Sequence, residues 1–324
     1  MKTRQFLTSL LAMAAFSSCG KPEPVADAKP VIRFGHFPNI THVQALVAHQ
    51  LSRQGRGWYE ERLGADVEWF LYNAGPSATE AIFARALDVT YIGPSPVLNA
   101  YAKSKGTELR VLAGAANGGS ALVVRPASNI KTAADLRGKK VATPQLGNTQ
   151  DVQLRAYLAD NGFKITQTGG DVFILPTQNA DQLALFQRGD LDAAWTAEPW
   201  TTRLELEAGA QVLVDDRETN VTLLASSAAF AKDHPELARK LVAAHKELTQ
   251  WIKDHPAEAK ALIKAELTEL MKSTPKDELI DRALSRIVIT DEISISSIEK
   301  MVTSAKKAGF LKDIPALDQL FPKL

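Results

Sequence analysis

The 324-residue sequence contains one cysteine, Cys19, so no disulfide can form within the chain. It also lacks an excess of charge of either sign, because 38 basic residues are balanced by 37 acidic ones. Proteins that bind nucleic acid need a strongly basic face, and we therefore predict no nucleic-acid partner. The remaining composition, 45% hydrophobic and 23% charged, is typical of a globular protein of about two domains.

Sequence motifs for catalysis are also missing. The chain has no serine, histidine and aspartate in a hydrolase order, no glycine-rich phosphate loop with a lysine, and no paired Cys-x-x-Cys. We therefore predict that the protein is not an enzyme and carries no cofactor.

Three histidines near the start of the chain leave a metal site as an alternative. His42 and His49 are seven residues apart and fit one helix face, while His36 is expected in the strand before them. Zinc favours imidazole ligands, but no acidic residue lies close by in the sequence to complete a ligand set. We predict no metal site and interpret His49 as a packing or surface histidine.

The first 30 residues have the layout of an export signal. Two basic residues precede an apolar stretch over residues 6–16, which is too short to span a bilayer. Small residues then lead to Cys19, an arrangement that resembles a lipoprotein signal in which this cysteine is acylated. The alternative is that cleavage occurs nearby and Cys19 is incidental. The predicted segments are a signal peptide over 1–18 and a flexible tether over 19–30.

From residue 31 onward, short β-rich runs alternate with helical patterns, which predicts parallel α/β sheets. A glycine-containing stretch at 116–120 and a polar stretch at 215–222 separate two series of strands. We expect two lobes that move by hinge bending near 114–122 and 215–224. The predicted lobes are lobe A, residues 31–118 plus 222–324, and lobe B, residues 119–221. The predicted strands span 31–37, 67–72, 89–92, 109–113, 121–124, 140–143, 172–175, 193–196 and 212–214.

After residue 228 the hydrophobic pattern is purely helical. Leu241, His245, Leu248 and Ile252 recur at spacings of three and four and share one helix face. Gly309 follows a second such pattern and is a suitable C-cap. The pattern indicates no function for the helices beyond about residue 260.

Polar or glycine-bearing turns stand where predicted strands give way to helices. Ligands of open α/β sheets bind at such junctions, and helix N-termini there hold anions through free N–H groups and a positive partial charge. A single turn of this kind caps a helix far more often than it binds a ligand, but five of them in two lobes indicate a cleft. The five turns span residues 37–42, 72–77, 92–96, 144–151 and 195–200.

These segments resemble one family. In the same order along the chain, they are similar to segments of the substrate-binding proteins for sulfonates, taurine and nitrate, over roughly residues 31–260. The segments that carry the resemblance are Arg33–Leu46, Asn73–Ser77, Gly93–Pro96, Ala133–Asp151 and Asp192–Trp200.

The resemblance implies an α/β, two-lobe type II periplasmic-binding-protein fold with a hinge. It also implies an extracytoplasmic component of an ABC importer that closes on a small sulfonate, taurine-like or nitrate-like oxyanion, with permease and ATPase subunits as partners. We expect a monomer in the periplasm or on the cell-envelope surface, held to the membrane by its lipid anchor only. A pyrimidine or aromatic carboxylate ligand, a sensing lipoprotein without transport, and a metal-binding protein stay open as alternatives.

The same resemblance implies a set of ligand contacts in both lobes. Because the turns hold almost no lysine or arginine, we expect N–H and hydroxyl groups to bind the oxyanion, with His42 adding a partial positive charge. A carboxylate beside an anion is costly unless it meets an amine or a hydrogen-bond donor, and an amino-sulfonate such as taurine would suit Glu198. The implied contacts are Asn39, Thr41, Ser77, Ser95, Asn148, Thr149, Trp195, Thr196 and Glu198.

Three of these residues carry a structural prediction as well. Ser95 is a natural N-cap ahead of Pro96, and Thr149 is expected to start the lobe B helix as its cap. The ring of Trp195 is expected to form the cleft wall; the alternative is that it packs beneath the helix that starts at Pro199.

Overall fold

The structure, a computed structural model, describes residues 29–167 and 169–322. The predicted signal peptide and the predicted lipidation site at Cys19 lie outside the described residues. Within them, eleven strands form two sheets that are flanked by twelve α-helices. The strands are β1 (Val31–His36), β2 (Asp66–Leu71), β3 (Val89–Ile92), β4 (Leu109–Gly118), β5 (Ser120–Val124), β6 (Lys140–Thr143), β7 (Phe173–Pro176), β8 (Ala193–Ala197), β9 (Gln211–Asp216), β10 (Asn220–Ser227) and β11 (Ile287–Ile289).

The helices follow the strands in the alternation expected from the sequence. Those beyond β10 belong to the C-terminal part of lobe A and range in length from 6 to 20 residues. The helices are α1 (Val43–Arg53), α2 (Trp58–Leu63), α3 (Gly75–Phe83), α4 (Pro94–Lys103), α5 (Thr149–Asp160), α6 (Asn179–Arg188), α7 (Trp200–Ala208), α8 (Ala228–Asp233), α9 (Pro235–Asp254), α10 (Pro256–Met271), α11 (Asp277–Leu284) and α12 (Ile295–Lys307).

Each lobe is built on one sheet. The lobe A sheet has the order β11-β4-β10-β3-β1-β2, and the lobe B sheet has the order β7-β6-β8-β5-β9. In lobe A, β1 is parallel to β2 and β3, while β10 is antiparallel to β3 and β4. In lobe B, β6 is parallel to β7 and β8. The parallel strands of both sheets therefore send their carboxyl ends, and the helices that follow, toward one edge.

The chain changes sheets at two crossovers. It leaves lobe A between Gly118 and Ser120 and returns between Asp216 and Asn220. Gly118 and Gly119 have φ values of +74° and +70°, a left-handed backbone that side-chain-bearing residues rarely adopt. Two glycines in succession are therefore what allows β4 to pass directly into β5 in the other lobe.

Aromatic and histidine side chains tie the lobe A sheet to α9. Phe34 on β1 stacks on Tyr91 of β3, with ring centroids 5.5 Å apart. The Tyr91 hydroxyl lies 2.8 Å from His245 Nδ1, and His245 Nε2 lies 2.8 Å from the Gly114 carbonyl oxygen. His245 is thus a buried, hydrogen-bonded member of the helix face that the sequence predicts.

Most strand boundaries agree with those expected from the sequence to within two residues. β4 extends to Gly118, five residues beyond its predicted end, because β10 and β11 pair with its second half. β10 and the short β11 were not among the predicted strands. Gly309 has a φ of +78° just beyond α12, as expected of a C-cap glycine.

Two helix starts differ from the prediction. α4 begins at Pro94 with Gly93 as its N-cap, so Ser95 lies inside the first turn and is not the cap. α5 begins at Thr149, but Asn148 is its N-cap, because the Asn148 side chain accepts a 2.9 Å hydrogen bond from the Asp151 N–H. The Thr149 hydroxyl is consequently free of a capping role. No helix in residues 29–167 or 169–322 is long and apolar enough to cross a membrane.

Candidate functional site

A small cavity lies between the two lobes, at the edge where parallel strands end and helices begin. Its volume, counted as the space open to the centre of a water molecule, is about 20 Å³. By this measure roughly 10–15 Å³ holds one water molecule, so the closed lobes leave room for only a small chemical group. The lining residues are Phe37, Asn39, Thr41, His42, Asn73, Ala74, Gly75, Gly93, Pro96, Pro144, Asn148, Thr149, Gln150, Asn179, Ala197 and Val221.

Four helices from both lobes begin at the cavity wall. Gly75 and Thr149 are the first residues of α3 and α5, Asn179 is the first residue of α6, and Gly93 directly precedes α4. Each helix N-terminus presents backbone N–H groups without intrahelical partners and a positive partial charge. Their convergence creates an electropositive cavity without a cationic side chain.

The polar side chains that line the cavity are uncharged, and apolar residues such as Phe37 and Val221 line the rest of it. Among its described lining residues there is no lysine, arginine, aspartate or glutamate. Two buried lining atoms, His42 Nδ1 and Thr149 Oγ1, have no hydrogen-bond partner. A buried polar atom without a partner costs free energy, so both atoms are suited to meet a polar ligand.

His42 differs from its expected role as a source of positive charge. Complete burial lowers the pKa of His42 to about 3, so the imidazole is neutral near pH 7. It contributes a hydrogen-bonding group and an aromatic surface to the cavity, and Phe37 packs against it with ring centroids 4.4 Å apart.

Half of the predicted site residues line the cavity, namely Asn39, Thr41, His42, Asn148 and Thr149. Three further polar lining residues were not predicted. Asn73 and Gln150 lie within turns that the sequence had singled out, so their amide side chains were a usable signal. Asn179 starts the helix after β7, a junction that the sequence analysis did not include among the five turns.

Ser77 and Ser95 do not line the cavity; they join the lobes beside it. The Gln145 side-chain amide of lobe B donates a 3.1 Å hydrogen bond to Ser77 Oγ. The hydroxyl of Ser95 donates to the carbonyl oxygen of Gly147, also in lobe B, at 3.2 Å. Both predicted ligand contacts therefore act between the lobes in this closed arrangement.

Asn39 and Asn73 also reach across the cleft. Asn39 Oδ1 accepts a 2.8 Å hydrogen bond from Trp200 Nε1. Asn73 Nδ2 donates to the Pro144 carbonyl oxygen at 3.0 Å. These two hydrogen bonds hold Asn39 and Asn73 in the cavity wall and exist only when the lobes are closed. The shape of the cavity therefore depends on lobe closure.

Thr196 acts through a neighbour and does not line the cavity. It is completely buried, and its hydroxyl donates a 2.9 Å hydrogen bond to Asn179 Oδ1. This contact orients the amide of Asn179, which does line the cavity. Thr196 is therefore a positioning residue.

Glu198 is occupied by a partner other than a ligand. It is completely buried, and its Oε1 accepts a 2.9 Å hydrogen bond from Arg286 Nη1. Arg286 also contacts Glu205 at 2.6 and 2.9 Å, and these hydrogen bonds raise the pKa of Arg286. Burial raises the pKa of Glu198, against the opposing effect of Arg286. The expectation that Glu198 meets a ligand amine is not supported by this geometry.

Trp195 packs in the core of lobe B and does not form the cleft wall. Its ring lies against Tyr157 of α5, with centroids 5.9 Å apart, and its Nε1 donates to Ser120 Oγ at 3.0 Å. Alternation along β8 holds as predicted, because Trp195 and Ala194 belong to hydrophobic clusters on opposite faces of the sheet. The face that carries Trp195 is the one covered by α5.

The sequence of residues 26–267 matches the model of the NMT1-like family. The chain belongs to the NMT1-like family. The matched region contains every residue that lines the cavity. It also contains every strand of the two sheets except β11.

Proteins with similar sequences include named binding proteins. One relative, from Bacillus subtilis (strain 168), carries the name "Putative aliphatic sulfonates-binding protein" and is 25% identical over 289 residues, 86% of this chain and 82% of its own. The taurine-binding periplasmic protein of Escherichia coli (strain K12) is 28% identical over 209 residues, 61% of this chain and 62% of its own. The resemblance expected from the sequence is confirmed.

Solved structures with the same fold include two binding proteins. The alkanesulfonate-binding protein SsuA from Xanthomonas axonopodis pv. citri, bound to MOPS, has a TM-score of 0.72 at 21% identity and covers 91% of this chain and 99% of its own. The periplasmic nitrate-binding protein NrtA from Synechocystis PCC 6803 has a TM-score of 0.70 at 17% identity, covering 88% and 83%. The predicted periplasmic-binding-protein fold is thereby confirmed.

Proposed function

We propose that this NMT1-like protein is the solute-binding component of an ABC importer and that it binds a small oxyanion between its lobes. The observation that carries the proposal is the convergence of the N-termini of α3, α4, α5 and α6 on one cavity whose polar side chains are all uncharged. Such N–H groups bind sulfonate, nitrate or carboxylate oxygens without a cationic side chain. The names of the relatives that bind aliphatic sulfonates and taurine support the same ligand class.

Within this class, the lining favours an unsubstituted oxyanion over an amino-sulfonate. Glu198 is the carboxylate that made taurine attractive, but Arg286 and the Thr202 N–H occupy its two oxygens. The described lining residues contain no other carboxylate to receive an ammonium group. A taurine amine buried here would lose its hydration without gaining an ionic partner.

The cellular setting is part of the proposal. The relative from Escherichia coli is named as periplasmic, which supports an extracytoplasmic location. We propose that Cys19 anchors a monomer to the membrane through lipid, and that the closed lobes dock on the permease of an importer driven by ATPase subunits. Fatty-acid labelling should mark the wild-type protein and not Cys19→Ser if this anchor is correct.

Calorimetry with a matched ligand pair tests the ligand class. Ethanesulfonate and taurine differ by one amine, and we expect ethanesulfonate to bind at least tenfold more tightly, because an unpaired buried polar group costs about 1–3 kcal/mol. Nitrate and a pyrimidine complete the panel. Tight binding of the pyrimidine with no heat from any oxyanion would contradict the proposal, and equal binding of the pair would contradict the argument about the amine.

Tryptophan fluorescence tests which indole senses closure. The Trp200 indole bonds Asn39 across the cleft, whereas Trp195 lies in the lobe B core. We expect ligand to change the wild-type emission, the change to persist in Trp195→Phe and to be mostly lost in Trp200→Phe. A signal that disappears only in Trp195→Phe would place the ligand on the other side of β8.

A further inference from the structure

Two histidines and a glutamate meet inside lobe A, apart from the interlobe cavity. They are His36 at the end of β1, His49 on α1 and Glu266 on α10, and all three are buried. His49 Nδ1 lies 2.9 Å from His36 Nε2 and 2.8 Å from Glu266 Oε1. The three ligand-type atoms all lie within 4.8 Å of one another.

The hydrogen-bond arrangement leaves this cluster one donor short. His36 Nδ1 faces the Phe37 carbonyl oxygen at 3.2 Å, which places the proton of the neutral imidazole there and a lone pair on Nε2. His49 Nδ1 can carry one proton, but two acceptors lie near it, His36 Nε2 and Glu266 Oε1. Only the contact with His36 Nε2 has the geometry of a hydrogen bond. Glu266 Oε1 is fully buried and has no hydrogen-bond partner. A cation placed among the three atoms satisfies all of them at once.

The surroundings orient these side chains as the outer shell of a metal site does. The Phe37 carbonyl fixes the tautomer of His36, and Arg53 Nε donates to the other oxygen of Glu266 at 2.9 Å. Trp69 stacks on the His49 ring with centroids 4.9 Å apart. The Arg53 side chain is 40% exposed, so its movement opens a short route from solvent to the carboxylate.

We propose that His36 Nε2, His49 Nδ1 and Glu266 Oε1 bind a divalent cation of the zinc type, with water as the fourth ligand. Two imidazoles and a carboxylate are a donor set that Zn²⁺ prefers over Mg²⁺ or Ca²⁺. Bonds of about 2.0 Å in a tetrahedral site separate neighbouring ligand atoms by about 3.3 Å, so the observed 2.8 and 2.9 Å contacts need to widen by a few tenths of an ångström. The third separation, between His36 Nε2 and Glu266 Oε1, lies within 4.8 Å and closes toward the same value when the ion binds. The ion would join β1, α1 and α10.

This site was missed from the sequence because its carboxylate comes from a distant helix. The search for an acidic ligand near the histidines stopped at neighbouring residues, while Glu266 reaches them through the packing of α10 on α1. His42, the third histidine of the sequence pattern, lines the interlobe cavity and is not part of the cluster.

Titration of the chelator-treated, purified protein with Co²⁺, followed by Zn²⁺ competition, tests the proposal. We expect one equivalent of Co²⁺ to bind with the visible absorption of a tetrahedral site, and Zn²⁺ to displace it. Glu266→Gln should lower the affinity at least tenfold, because it removes a ligand. The matched control is His255→Gln, which removes an exposed histidine and should leave the titration unchanged. The absence of stoichiometric binding, or equal binding by Glu266→Gln, would overturn the proposal.

A second variant decides the matter if Glu266→Gln does not fold. Arg53→Met keeps all three ligands but removes the hydrogen bond that orients the Glu266 carboxylate, so we expect one equivalent of Co²⁺ still to bind, with an affinity lowered about tenfold or more. An unchanged or higher affinity in Arg53→Met overturns the proposal in that case. The result is independent of the interlobe ligand, because oxyanion binding is measured separately by calorimetry.

Discussion

Replacing Arg286 with methionine is expected to weaken ligand binding by about 100- to 4,000-fold. The substitution leaves the buried carboxylate of Glu198 without its cationic partner, and breaking a buried ion pair from one side costs about 3–5 kcal/mol. Each 1.4 kcal/mol corresponds to about tenfold in affinity. The cost lowers the affinity for ligand because Arg286 and Glu198 belong to different lobes, which meet when the protein closes on its ligand.

The separation between lobes determines how the protein responds. Arg286 lies between α11 and β11 in lobe A, whereas Glu198 and Glu205 lie in lobe B. Opening of the lobes lets water reach Glu198, so the variant relieves the unpaired charge by opening and need not unfold. The penalty is then subtracted from the free energy of closure on the ligand. Thermal stability without ligand should change much less than affinity.

The defect should also depend on pH. Burial raises the pKa of Glu198, so the closed state holds a proton on this carboxyl more readily than the solvated open state does. The closed state of Arg286→Met therefore binds more protons than the open state, and closure becomes more favourable as pH falls through the raised pKa. We expect the affinity of the variant to recover partly on acidification, above the ordinary glutamate pKa.

Calorimetry across this pH range measures the effect, and small-angle scattering reports closure as a smaller radius with ligand. Arg282→Met is the matched control, because Arg282 also approaches Glu205 but at 3.9 Å and with a 42% exposed side chain. An exposed pair of this kind contributes at most about 1 kcal/mol. If Arg286→Met binds within threefold of wild type, the interlobe ion pair does not stabilise the closed state.

The fold was predictable because its signals are local. Short β-rich runs bounded by turns located β3 and β6 to the residue, and the glycines at 118 and 119 marked the first crossover. β11 escaped because a three-residue strand has no periodicity of its own and forms only where β4 offers an unpaired edge. Pairing between distant segments is not encoded in either segment alone.

The site was predictable in position but not in the assignment of every side chain. Turns at the carboxyl ends of strands led to the cavity, because parallel strands bring these turns together. The partners of Glu198 and Trp195 were not visible: Arg286 lies far along the chain, and the face of β8 that α5 covers is a tertiary property. The same reason hid Glu266 from the two histidines.

Replacing Thr149 with valine is expected to weaken oxyanion binding about 10- to 100-fold while leaving the unliganded protein as stable as wild type or slightly more stable. The Thr149 hydroxyl is buried beside the cavity and has no hydrogen-bond partner without ligand. A hydrogen bond to a charged ligand contributes about 1.5–3 kcal/mol, which this variant loses on binding. Valine keeps the shape of the side chain, so the packing against Gly93, where a Cβ would lie 2.2 Å from Thr149 Oγ1, is preserved.

The neighbouring cap residue provides the control that separates binding from helix stability. Asn148 accepts the Asp151 N–H as the N-cap of α5, so Asn148→Ala should lower the free energy of unfolding by about 1 kcal/mol. Thr149→Val should show no such loss in denaturant unfolding, since Thr149 is not the cap. Thr149→Ser, which restores a hydroxyl at the same position, should recover most of the affinity in calorimetry. If Thr149→Val instead loses stability and binds the oxyanion as tightly as wild type, its hydroxyl supports α5 and does not contact the ligand.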